Sequence, residues 1–382
     1  MKKICLVAGA RPNFMKIAPV LRAIRNHPDT LQPLLVHTGQ HYDDSMSAGF
    51  FRDLGISAPD YNLEAGSGSH AVQTAGIMMK FEEVCLKQRP DLVMVVGDVN
   101  STIAAGLVAK KLHLRLAHIE AGLRSRDRSM PEEINRIATD AITDLFFTTE
   151  KDGTANLLAE GHDPESVHFV GHVMIDNLFY QLEKQKGAAP SPLAGSLKKR
   201  LPGPYFCLTL HRPSNVDDRE TLERITGALA ELAARAPVLF PCHPRTRKQI
   251  GLFGLADRFT DLTAGDAPLA PGIHLTAPLG YDDFLYLWKN CTAMLTDSGG
   301  LQEETTALKV PCITMRETTE RPITADVGSN VVVGTDPEQI VSYGADALNG
   351  KWKESRIPDL WDGKASERIV AVILRDSSEV RR

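Results

Sequence analysis

The stretch LTDSGGLQEE at residues 295–304 joins an apolar run that predicts a strand to a run that predicts a helix. Gly299 and Gly300 would let backbone N–H groups approach a ligand there, and the start of a helix favours anions. Glu303 and Glu304 follow in what we take to be the first helical turn, where they would repel a phosphate unless they faced groups such as ribose hydroxyls. The stretch therefore raises the hypothesis of a nucleotide site, and its plain alternative is a helix that merely begins with small residues.

Polar and charged side chains recur where the other predicted strands end. In the first half of the chain they are Arg11, Lys16, Gln40, His41, Asp98, Glu120 and Arg124, and in the second half they are His211, Arg212, His243, Arg245, Ser298, Arg316, Glu320 and Arg321. Ligands of doubly wound sheets bind outside the carboxyl ends of the strands. Two such edges facing each other would form a cleft lined with cations and carboxylates.

Each of these residues also has a local explanation. Asp98 or Asn100 could cap the helix that follows, and Ser129 with Glu132 has the S-x-x-E spacing of a capping box. Local sequence alone favours the cap in both cases, and a single histidine is more often structural than catalytic. Glu120 is different, because it directly follows an apolar strand run, where a carboxylate needs a partner or a task. The shared position at strand ends in both halves favours a functional interpretation.

Composition excludes several classes of protein. The sequence is 43% hydrophobic and 24% charged with a net charge of −5, which is typical of a globular protein and argues against non-specific binding to nucleic acid. We expect a cytoplasmic protein, because no apolar run is long enough for a signal peptide or a membrane span. The six cysteines include no C-x-x-C pair, so we expect buried free thiols. No P-loop, G-x-G-x-x-G or H-E-x-x-H motif is present.

The order of the predicted elements indicates two similar halves. Continuously apolar strands alternate with helices, which predicts parallel sheets covered on both faces. A stretch rich in Pro, Gly and Lys, residues 185–204, separates two such series. We predict an N-terminal domain over 1–180, a C-terminal domain over 181–364, and a terminal helix over 365–382.

Nine motifs in this order across nearly the whole chain resemble those of one known family. They are GARPNFMKIAPV, HTGQHYD, VGDVNST, HIEAGLRS, PEEINR, LHRPSNVD, PCHPRTR, LTDSGGLQEE and RETTERP. Together they closely resemble the non-hydrolysing UDP-N-acetylglucosamine 2-epimerases. The resemblance implies a GT-B-like α/β fold, with two Rossmann-like domains facing each other across a cleft and the terminal helix returning to the N-terminal domain. It also implies a homodimer that binds UDP-N-acetylglucosamine and UDP and needs no cofactor. The motifs and the composition predict no metal site and no binding to nucleic acid or to a membrane.

The resemblance assigns roles to residues that match the motifs. Asp98, Glu120 and Glu132 match the three catalytic carboxylates, and His211 joins them as a catalytic residue that also contacts UDP. Ser298, Gly299 and Gly300 match the diphosphate site, Glu304 the ribose contact and Phe284 the aromatic ring near uracil. The remaining residues assigned to substrate binding are Arg11, Lys16, Gln40, His41, Arg136, His243 and Arg321.

The implied reaction is an elimination followed by an addition. UDP leaves together with the C2 proton, which gives 2-acetamidoglucal, and UDP then adds back with protonation from the other face. The alternatives are a hydrolysing epimerase, a retaining GT-B glycosyltransferase and a catalytically silent nucleotide-sugar sensor, although the three carboxylates argue against the sensor.

The chain departs from the family motifs at Gly-Ala-Arg-Pro-Asn, where Gly-Thr-Arg-Pro-Glu is usual. It also reads YDDSMSAGFF where many bacterial members carry glutamines that bind an activating substrate molecule. We therefore expect little or no substrate activation.

Overall fold

Apolar runs alternating with amphipathic helices build two separate parallel sheets. The computed structural model describes residues 1–39, 48–263 and 265–379. Each sheet has seven strands, and every strand pair within it is parallel. The predicted α/β class with two Rossmann-like halves is therefore confirmed.

The chain divides into two units that each contain one sheet. Unit 1 comprises Met1–Tyr180 and Asp359–Arg382, and unit 2 comprises Gln181–Pro358. The sequence interpretation assigned residues up to 364 to the second domain, but the structure groups the chain from Asp359 onward with unit 1.

The sheet of unit 1 has the strand order β3-β2-β1-β4-β5-β6-β7. Its strands are β1 (Lys2–Ala8), β2 (Leu31–His37), β3 (Tyr61–Asn62), β4 (Leu92–Val96), β5 (Arg115–Ile119), β6 (Leu145–Thr148) and β7 (Val167–Phe169). The strand order reverses between β1 and β4. Loops diverge at such a point and leave a crevice at the carboxyl ends of the strands, so the residues that follow β1, β4 and β5 share this edge.

The helices that cover this sheet are α1 (Arg11–Arg25), α2 (Ala48–Asp53), α3 (His70–Gln88), α4 (Asn100–Lys111), α5 (Pro131–Asp140), α6 (Lys151–Ala159) and α7 (Val173–Lys186). A short 3₁₀ turn spans Pro164–Ser166. Helix α7 continues past the boundary between the units.

The sheet of unit 2 has the strand order β10-β11-β9-β8-β12-β13-β14. Its strands are β8 (Phe206–Thr209), β9 (Val238–Pro241), β10 (Phe259–Asp261), β11 (Ile273–Thr276), β12 (Ala293–Thr296), β13 (Cys312–Thr314) and β14 (Asn330–Val332). Here the order reverses between β8 and β12, which defines the crevice of this unit.

The helices of unit 2 are α8 (Pro192–Lys199), α9 (Pro213–Val216), α10 (Arg219–Ala233), α11 (Pro244–Leu252), α12 (Tyr281–Trp288), α13 (Gly299–Leu308), α14 (Pro322–Asp326) and α15 (Pro337–Leu348). A 3₁₀ turn spans Ala256–Arg258. The last helix, α16 (Ala365–Glu379), belongs to unit 1.

Burial on both faces explains why the strand runs are continuously apolar. All five residues of β4 are buried. One face of this strand packs in a cluster with Phe14 and Ile17 of α1, and the other packs in a cluster with Ile77 and Phe81 of α3. Parallel sheets covered by helices on both sides have this pattern.

The segment before α16 belongs to unit 1 because its side chains are buried there. Trp361 is 1% exposed, and its ring lies edge-on to His172 with the centroids 5.0 Å apart. Asp176 of α7 accepts hydrogen bonds from the N–H groups of Ala365 and Ser366 at 3.0 and 2.6 Å, which fixes the start of α16. Helix α16 then packs against α1.

The six cysteines are free and buried, as the sequence predicted. Burial raises the pKa of Cys85 to about 12 and that of Cys242 to about 11, so these thiols are protonated at neutral pH. No helix in the described ranges combines the length and apolar character that crossing a membrane requires.

Candidate active site

The loop after β1 leads directly into α1, whose first turns carry two predicted binding residues, Arg11 and Lys16. Asn13 accepts a hydrogen bond from the N–H of Ala10 at 3.0 Å, which fixes the start of the helix. Arg11, the first residue of α1, is exposed, and its guanidinium carbon lies 5.1 Å from the centroid of the Phe50 ring. Lys16 lies further along the helix, and its ammonium group reaches the loop after β5.

Glu120 directly follows β5 in a conformation that few residues adopt. Its φ is 67°, in the left-handed region, which costs a residue with a Cβ about 1–2 kcal/mol. The residue is 3% exposed, and its Oε2 accepts a hydrogen bond from Lys16 Nζ at 2.5 Å. Residues in strained backbone conformations cluster at functional sites. The strain and the buried ion pair together favour a chemical role for this carboxylate.

Asp98 and Arg136 form an ion pair that joins the loop after β4 to α5. Arg136 Nη1 also lies 3.1 Å from Glu133 Oε2, and Asn135 Nδ2 donates a hydrogen bond to the Asp98 carbonyl at 2.8 Å. The N-cap residue of α4 is Val99, with no side-chain hydrogen bond to the helix. The local interpretation of Asp98 as a helix cap is therefore wrong, because its carboxylate faces a guanidinium instead.

Two adjacent glutamates of α5 have opposite environments. Glu133 is 1% exposed, and its carboxylate accepts the N–H groups of Ser125 and Arg126 at 2.9 and 3.0 Å. Burial opposes ionisation of Glu133, but these N–H groups and Arg136 outweigh it and lower its pKa. Glu132 is exposed. Glu133 thus anchors the loop before α5, whereas Glu132 is the one accessible to a substrate.

The capping box predicted at the start of α5 is wrong. The N-cap residue is Met130, without a side-chain cap hydrogen bond. The Ser129 hydroxyl donates to Asp127 Oδ1 at 2.6 Å. A local turn satisfies this serine, so Glu132 has no reciprocal capping role.

A buried histidine–aspartate pair lies behind the loops after β4 and β5. His118 Nε2 lies 2.8 Å from the Gly97 carbonyl oxygen, and Nδ1 lies 2.7 Å from Asp140 Oδ1. Asp140 Oδ2 accepts the Gly122 N–H at 3.0 Å and lies 2.7 Å from Arg124 Nη1. Burial opposes ionisation of Asp140, but His118 and Arg124 outweigh it and lower its pKa. The ring of His118 therefore ties the loop after β4, through the Gly97 carbonyl, to α5, through Asp140.

The reversal point of unit 2 brings His211 against a carboxylate that sequence reasoning missed. Asp297 directly follows β12 and is fully buried. Its Oδ2 accepts the backbone N–H groups of His211 and Arg212 at 2.8 and 2.7 Å, and its Oδ1 lies 3.0 Å from His211 Nδ1. Burial opposes ionisation of Asp297, but His211 and these N–H groups outweigh it and lower its pKa. The signal available in the sequence was an aspartate that directly follows an apolar strand run and precedes Ser298, Gly299 and Gly300.

The helix start in the SGG stretch is open to a ligand. Helix α13 begins at Gly299, and its N-cap residue, Ser298, makes no side-chain hydrogen bond to the helix within the described chain. The N–H groups of a first helical turn lack intrahelical partners and favour an anion. A Cβ at Gly300 would meet no atom within 4 Å. The geometry thus provides backbone donors at the carboxyl edge of the sheet, with open space at Gly300 and with Glu320 Oε2 3.7 Å from where a Cβ of Gly299 would lie.

The two glutamates of this stretch lie beyond the first turn, because the helix already begins at Gly299. Their expected placement in the first turn is wrong. Glu303 Oε1 lies 2.5 Å from Arg321 Nε. Glu304 is buried and accepts a hydrogen bond from the Tyr281 hydroxyl at 2.6 Å, while burial and the charge of Glu303 raise its pKa to about 8. Neither carboxylate needs to face a phosphate at the helix start.

The remaining predicted residues lie apart from these contacts. His243 is the N-cap residue of α11, where its Nδ1 accepts a backbone N–H at 3.2 Å, and its ring centroid lies 6.4 Å from that of His211. Phe284 is half-buried in α12. Gln40 and His41 lie outside the described residues.

The side chains of the described ranges include no group of three or more His, Cys, Asp or Glu residues that could hold a metal ion.

Comparison with known proteins identifies the family. The sequence profile described as UDP-N-acetylglucosamine 2-epimerase matches residues 22–374. The UDP-N-acetylglucosamine 2-epimerase of Methanococcus maripaludis is 40% identical over 378 residues, covering 98% of each chain. The UDP-2,3-diacetamido-2,3-dideoxy-D-glucuronate 2-epimerase of Pseudomonas aeruginosa is 39% identical and covers 98% of this chain and 99% of its own.

A solved structure supports the same assignment. The crystal structure of the Methanocaldococcus jannaschii UDP-GlcNAc 2-epimerase in complex with UDP-GlcNAc and UDP has a TM-score of 0.82 and is 39% identical, covering 98% of this chain and 99% of that one. This similarity confirms the GT-B-like fold class that the motifs implied. The chain belongs to the UDP-N-acetylglucosamine 2-epimerase family.

Proposed function

We propose that this protein reversibly epimerises UDP-N-acetylglucosamine at C2 to UDP-N-acetylmannosamine. The family assignment supports the reaction class, and the relatives named above act on UDP-sugars with a nitrogen substituent at C2. The residues at the two strand edges suit a route in which UDP is eliminated and then added back.

The observation that carries this proposal is a chemical division between the two units. At the strand edge of unit 1 the carboxylates Asp98 and Glu120 lie beside Arg136 and Lys16. At the strand edge of unit 2 an open helix start offers backbone N–H groups. A reaction that moves a proton and releases a diphosphate needs both kinds of group.

The nucleotide is assigned to unit 2. Ser298, Gly299 and Gly300 would bind the diphosphate, because helix N–H groups and the helix dipole stabilise negative charge. Glu304 would bond the ribose hydroxyls and Phe284 would contact the uracil. The further residues that we assign to the substrate are Arg11, Lys16, Gln40, His41, Arg136, His211, His243 and Arg321.

The chemistry follows from the substrate. The C2 proton is not acidic, because no carbonyl is attached to C2, so direct deprotonation is unfavourable. A carboxylate takes this proton while the C1–O bond breaks, its electron pair leaves with the β-phosphate oxygen of UDP, and a C1–C2 double bond forms in 2-acetamidoglucal. Re-addition of UDP with protonation of C2 from the opposite face gives the epimer. No external oxidant, reductant or cofactor enters this balance.

Unit 1 supplies the groups that act on the sugar. We assign Asp98, Glu120 and Glu132 as acid–base groups and as stabilisers of the positive charge that develops on the ring. The Lys16 contact fixes the Glu120 carboxylate, and the Arg136 contact fixes that of Asp98. Fixed charges contribute more than mobile ones, because no reorganisation is needed during the reaction.

The test of the mechanism is isotope exchange. Epimerisation in heavy water should place deuterium at C2 of the product, and long incubation should release small amounts of UDP and 2-acetamidoglucal. A hydride route would retain the original hydrogen. Product with only protium at C2, or nicotinamide bound to the purified protein, would refute the elimination.

The carboxylates are tested by isosteric replacement. We expect Asp98→Asn, Glu120→Gln and Glu132→Gln each to lower turnover by about 10²–10⁴-fold, as for the loss of a general acid or base, while UDP binding persists. Glu83→Gln, which alters an exposed carboxylate of α3, is the matched control. Near-normal turnover in any of the three would remove that residue from the mechanism.

The nucleotide site is tested by calorimetry with UDP. We expect Arg11→Ala and Ser298→Ala to weaken binding, because hydrogen bonds from charged donors and helix-start contacts to phosphate are lost. Arg219→Ala, on an arginine whose side chain is 68% exposed, serves as the control for loss of a positive charge. Unchanged affinity in both test variants would place the nucleotide elsewhere.

One NMR time course separates this function from its rivals. UDP-N-acetylglucosamine should reach equilibrium with its epimer, whereas a hydrolysing enzyme would release free N-acetylmannosamine and a glycosyltransferase would need an acceptor. The Pseudomonas relative motivates a second arm with UDP-2,3-diacetamido-2,3-dideoxy-D-glucuronate. Faster turnover of that sugar would keep the reaction class but change the substrate.

The proposal also covers the location, the oligomeric state and the biosynthetic role of the enzyme. We propose a cytoplasmic homodimer that supplies an activated amino sugar to polysaccharide biosynthesis, as the family resemblance suggests. Light scattering of the purified chain tests the dimer, and a monomer at micromolar concentration would contradict it.

A further inference from the structure

The register of unit 2 places a buried carboxylate behind an exposed histidine ring. Thr209 of β8 pairs with Thr296 of β12, and their hydroxyl oxygens lie 2.6 Å apart. The residues just beyond this pair are therefore neighbours at the reversal point of the sheet. His211 and Asp297 meet there, with 44% of the His211 side chain exposed and none of the Asp297 side chain.

Asp297 binds His211 in two ways. Its Oδ2 accepts the backbone N–H groups of His211 and Arg212, and Asn215 Nδ2 lies 3.4 Å from the same oxygen. Its Oδ1 is buried and has no other hydrogen-bond partner within the described residues. That oxygen lies 3.0 Å from His211 Nδ1. The carboxylate thus holds both the main chain and one ring nitrogen of the histidine.

This arrangement determines which ring nitrogen carries a proton. An ionised carboxylate only accepts hydrogen bonds, so the nitrogen facing it must carry hydrogen. Nδ1 of His211 is therefore the donor, and Nε2 is left at the exposed end of the ring. The hydrogen bond made by one ring nitrogen sets the role of the other.

We infer that Asp297 is a positioning residue that fixes His211 with a proton on Nδ1, so that Nε2 is the atom that serves the departing diphosphate. This inference rests on the proposed function. A proton on Nε2 faces the phosphate oxygen as it takes the electron pair of the C1–O bond, and the carboxylate of Asp297 balances the charge of the imidazolium. Re-addition of UDP reverses these steps without another reactant.

The alternative is that Asp297 only joins two strand ends. Asp297→Asn separates the two roles, because its amide oxygen can still accept both backbone N–H groups while its NH₂ group faces Nδ1. An NH₂ group donates, so Nδ1 must then accept and the proton moves to Nε2. A purely structural role predicts no change in the ring. A carboxylate-to-amide change of this kind reverses the tautomer of a catalytic histidine in the serine proteases.

The first measurement is the nitrogen NMR spectrum of the histidine rings at about pH 9, well above the pKa of a free imidazole. His211→Asn identifies the His211 signals by their loss. We expect a protonated Nδ1 in the wild type and an unprotonated Nδ1 in Asp297→Asn. An unprotonated Nδ1 in the wild type, or an unchanged ring in the variant, overturns the inference. The wild-type spectrum decides even if the variant fails to fold.

The second measurement is a double-mutant cycle on turnover. Asparagine leaves no carboxylate to balance an imidazolium, so the Nε2 proton of the neutral ring passes less readily to the phosphate oxygen. We therefore expect Asp297→Asn to lower kcat about 10²–10⁴-fold while the Kd for UDP changes about threefold or less, and to add no further loss in a His211→Asn background. Fully additive losses would show that Asp297 acts independently of His211. Should the wild type fail to epimerise UDP-N-acetylglucosamine, the NMR result still tests the pairing, so the two failures are distinguishable.

Discussion

Replacing Glu304 by glutamine should remove a pH-dependent destabilisation of unit 2. Burial raises the pKa of Glu304 to about 8 from 4.5. The group is protonated in both the folded and the unfolded chain below pH 4.5. Between pH 4.5 and about 8 the unfolded chain releases the proton while the folded protein retains it, so the free energy of unfolding falls as the pH rises.

The size of the effect follows from the same values. Each unit of pKa difference corresponds to about 1.4 kcal/mol, so Glu304 accounts for a loss of about 5 kcal/mol between pH 4.5 and pH 8. Glutamine has no proton to release and keeps an oxygen that accepts the Tyr281 hydroxyl, which the wild-type carboxyl group binds at 2.6 Å. The stability of Glu304→Gln relative to the wild type should therefore rise across this range.

Urea unfolding followed by tryptophan fluorescence measures this difference. The chain has three tryptophans, of which Trp288 and Trp352 lie in unit 2 and Trp361 in unit 1. A Trp361→Phe background therefore reports on unit 2 alone. Glu338→Gln removes an exposed carboxylate of α15 and is the control. A stability difference between Glu304→Gln and the wild type that stays constant from about pH 5 to pH 9 would refute the reasoning.

Three further predictions concern the other contacts. Lys16→Met should lower turnover about 100-fold and stability by about 2 kcal/mol, since it removes a charged hydrogen bond to buried Glu120; normal kinetics and an unchanged melting temperature would contradict this. Asp140→Asn should destabilise the protein by about 3 kcal/mol in thermal unfolding, because it breaks a buried pair with His118. The control Glu160→Gln, on a side chain that is 39% exposed, should cost about 0.5 kcal/mol or less, and equal losses would contradict the role of burial. The rate curve in UDP-N-acetylglucosamine should be hyperbolic, and a sigmoidal curve would show that substrate activation persists.

Strands with continuous apolar runs were predictable, whereas two of the four edge strands were not. Strands such as β4 are buried on both faces, so their apolar runs are continuous and visible in the sequence. Strands β3, Tyr61–Asn62, and β10, Phe259–Asp261, lie at the edges of the sheets and are partly exposed. The residues YN and FTD form no apolar run, so neither strand was predicted, whereas the edge strands β7 and β14 lie in apolar runs and were.

The helix caps show where local rules failed. Ser129 and Asp98 both have the spacing of caps, and neither caps its helix. Ser129 bonds Asp127 two residues away, and Asp98 pairs with Arg136 from another helix. A capping hydrogen bond contributes about 1 kcal/mol. A tertiary interaction that contributes as much or more can therefore draw the side chain away from the cap position. Local spacing does not reveal the partner in that interaction.

The sequence by itself determined the α/β class, the two halves and the family, because continuous apolar runs and nine ordered motifs are properties of the chain alone. It also indicated that Asp98, Glu120 and His211 follow strands. Only the tertiary structure decided their partners. Lys16 reaches Glu120 across 104 positions, and Asp297 reaches His211 across 86. Such pairs depend on strand order and register, which arise when distant segments pack into one sheet, and no local pattern encodes them.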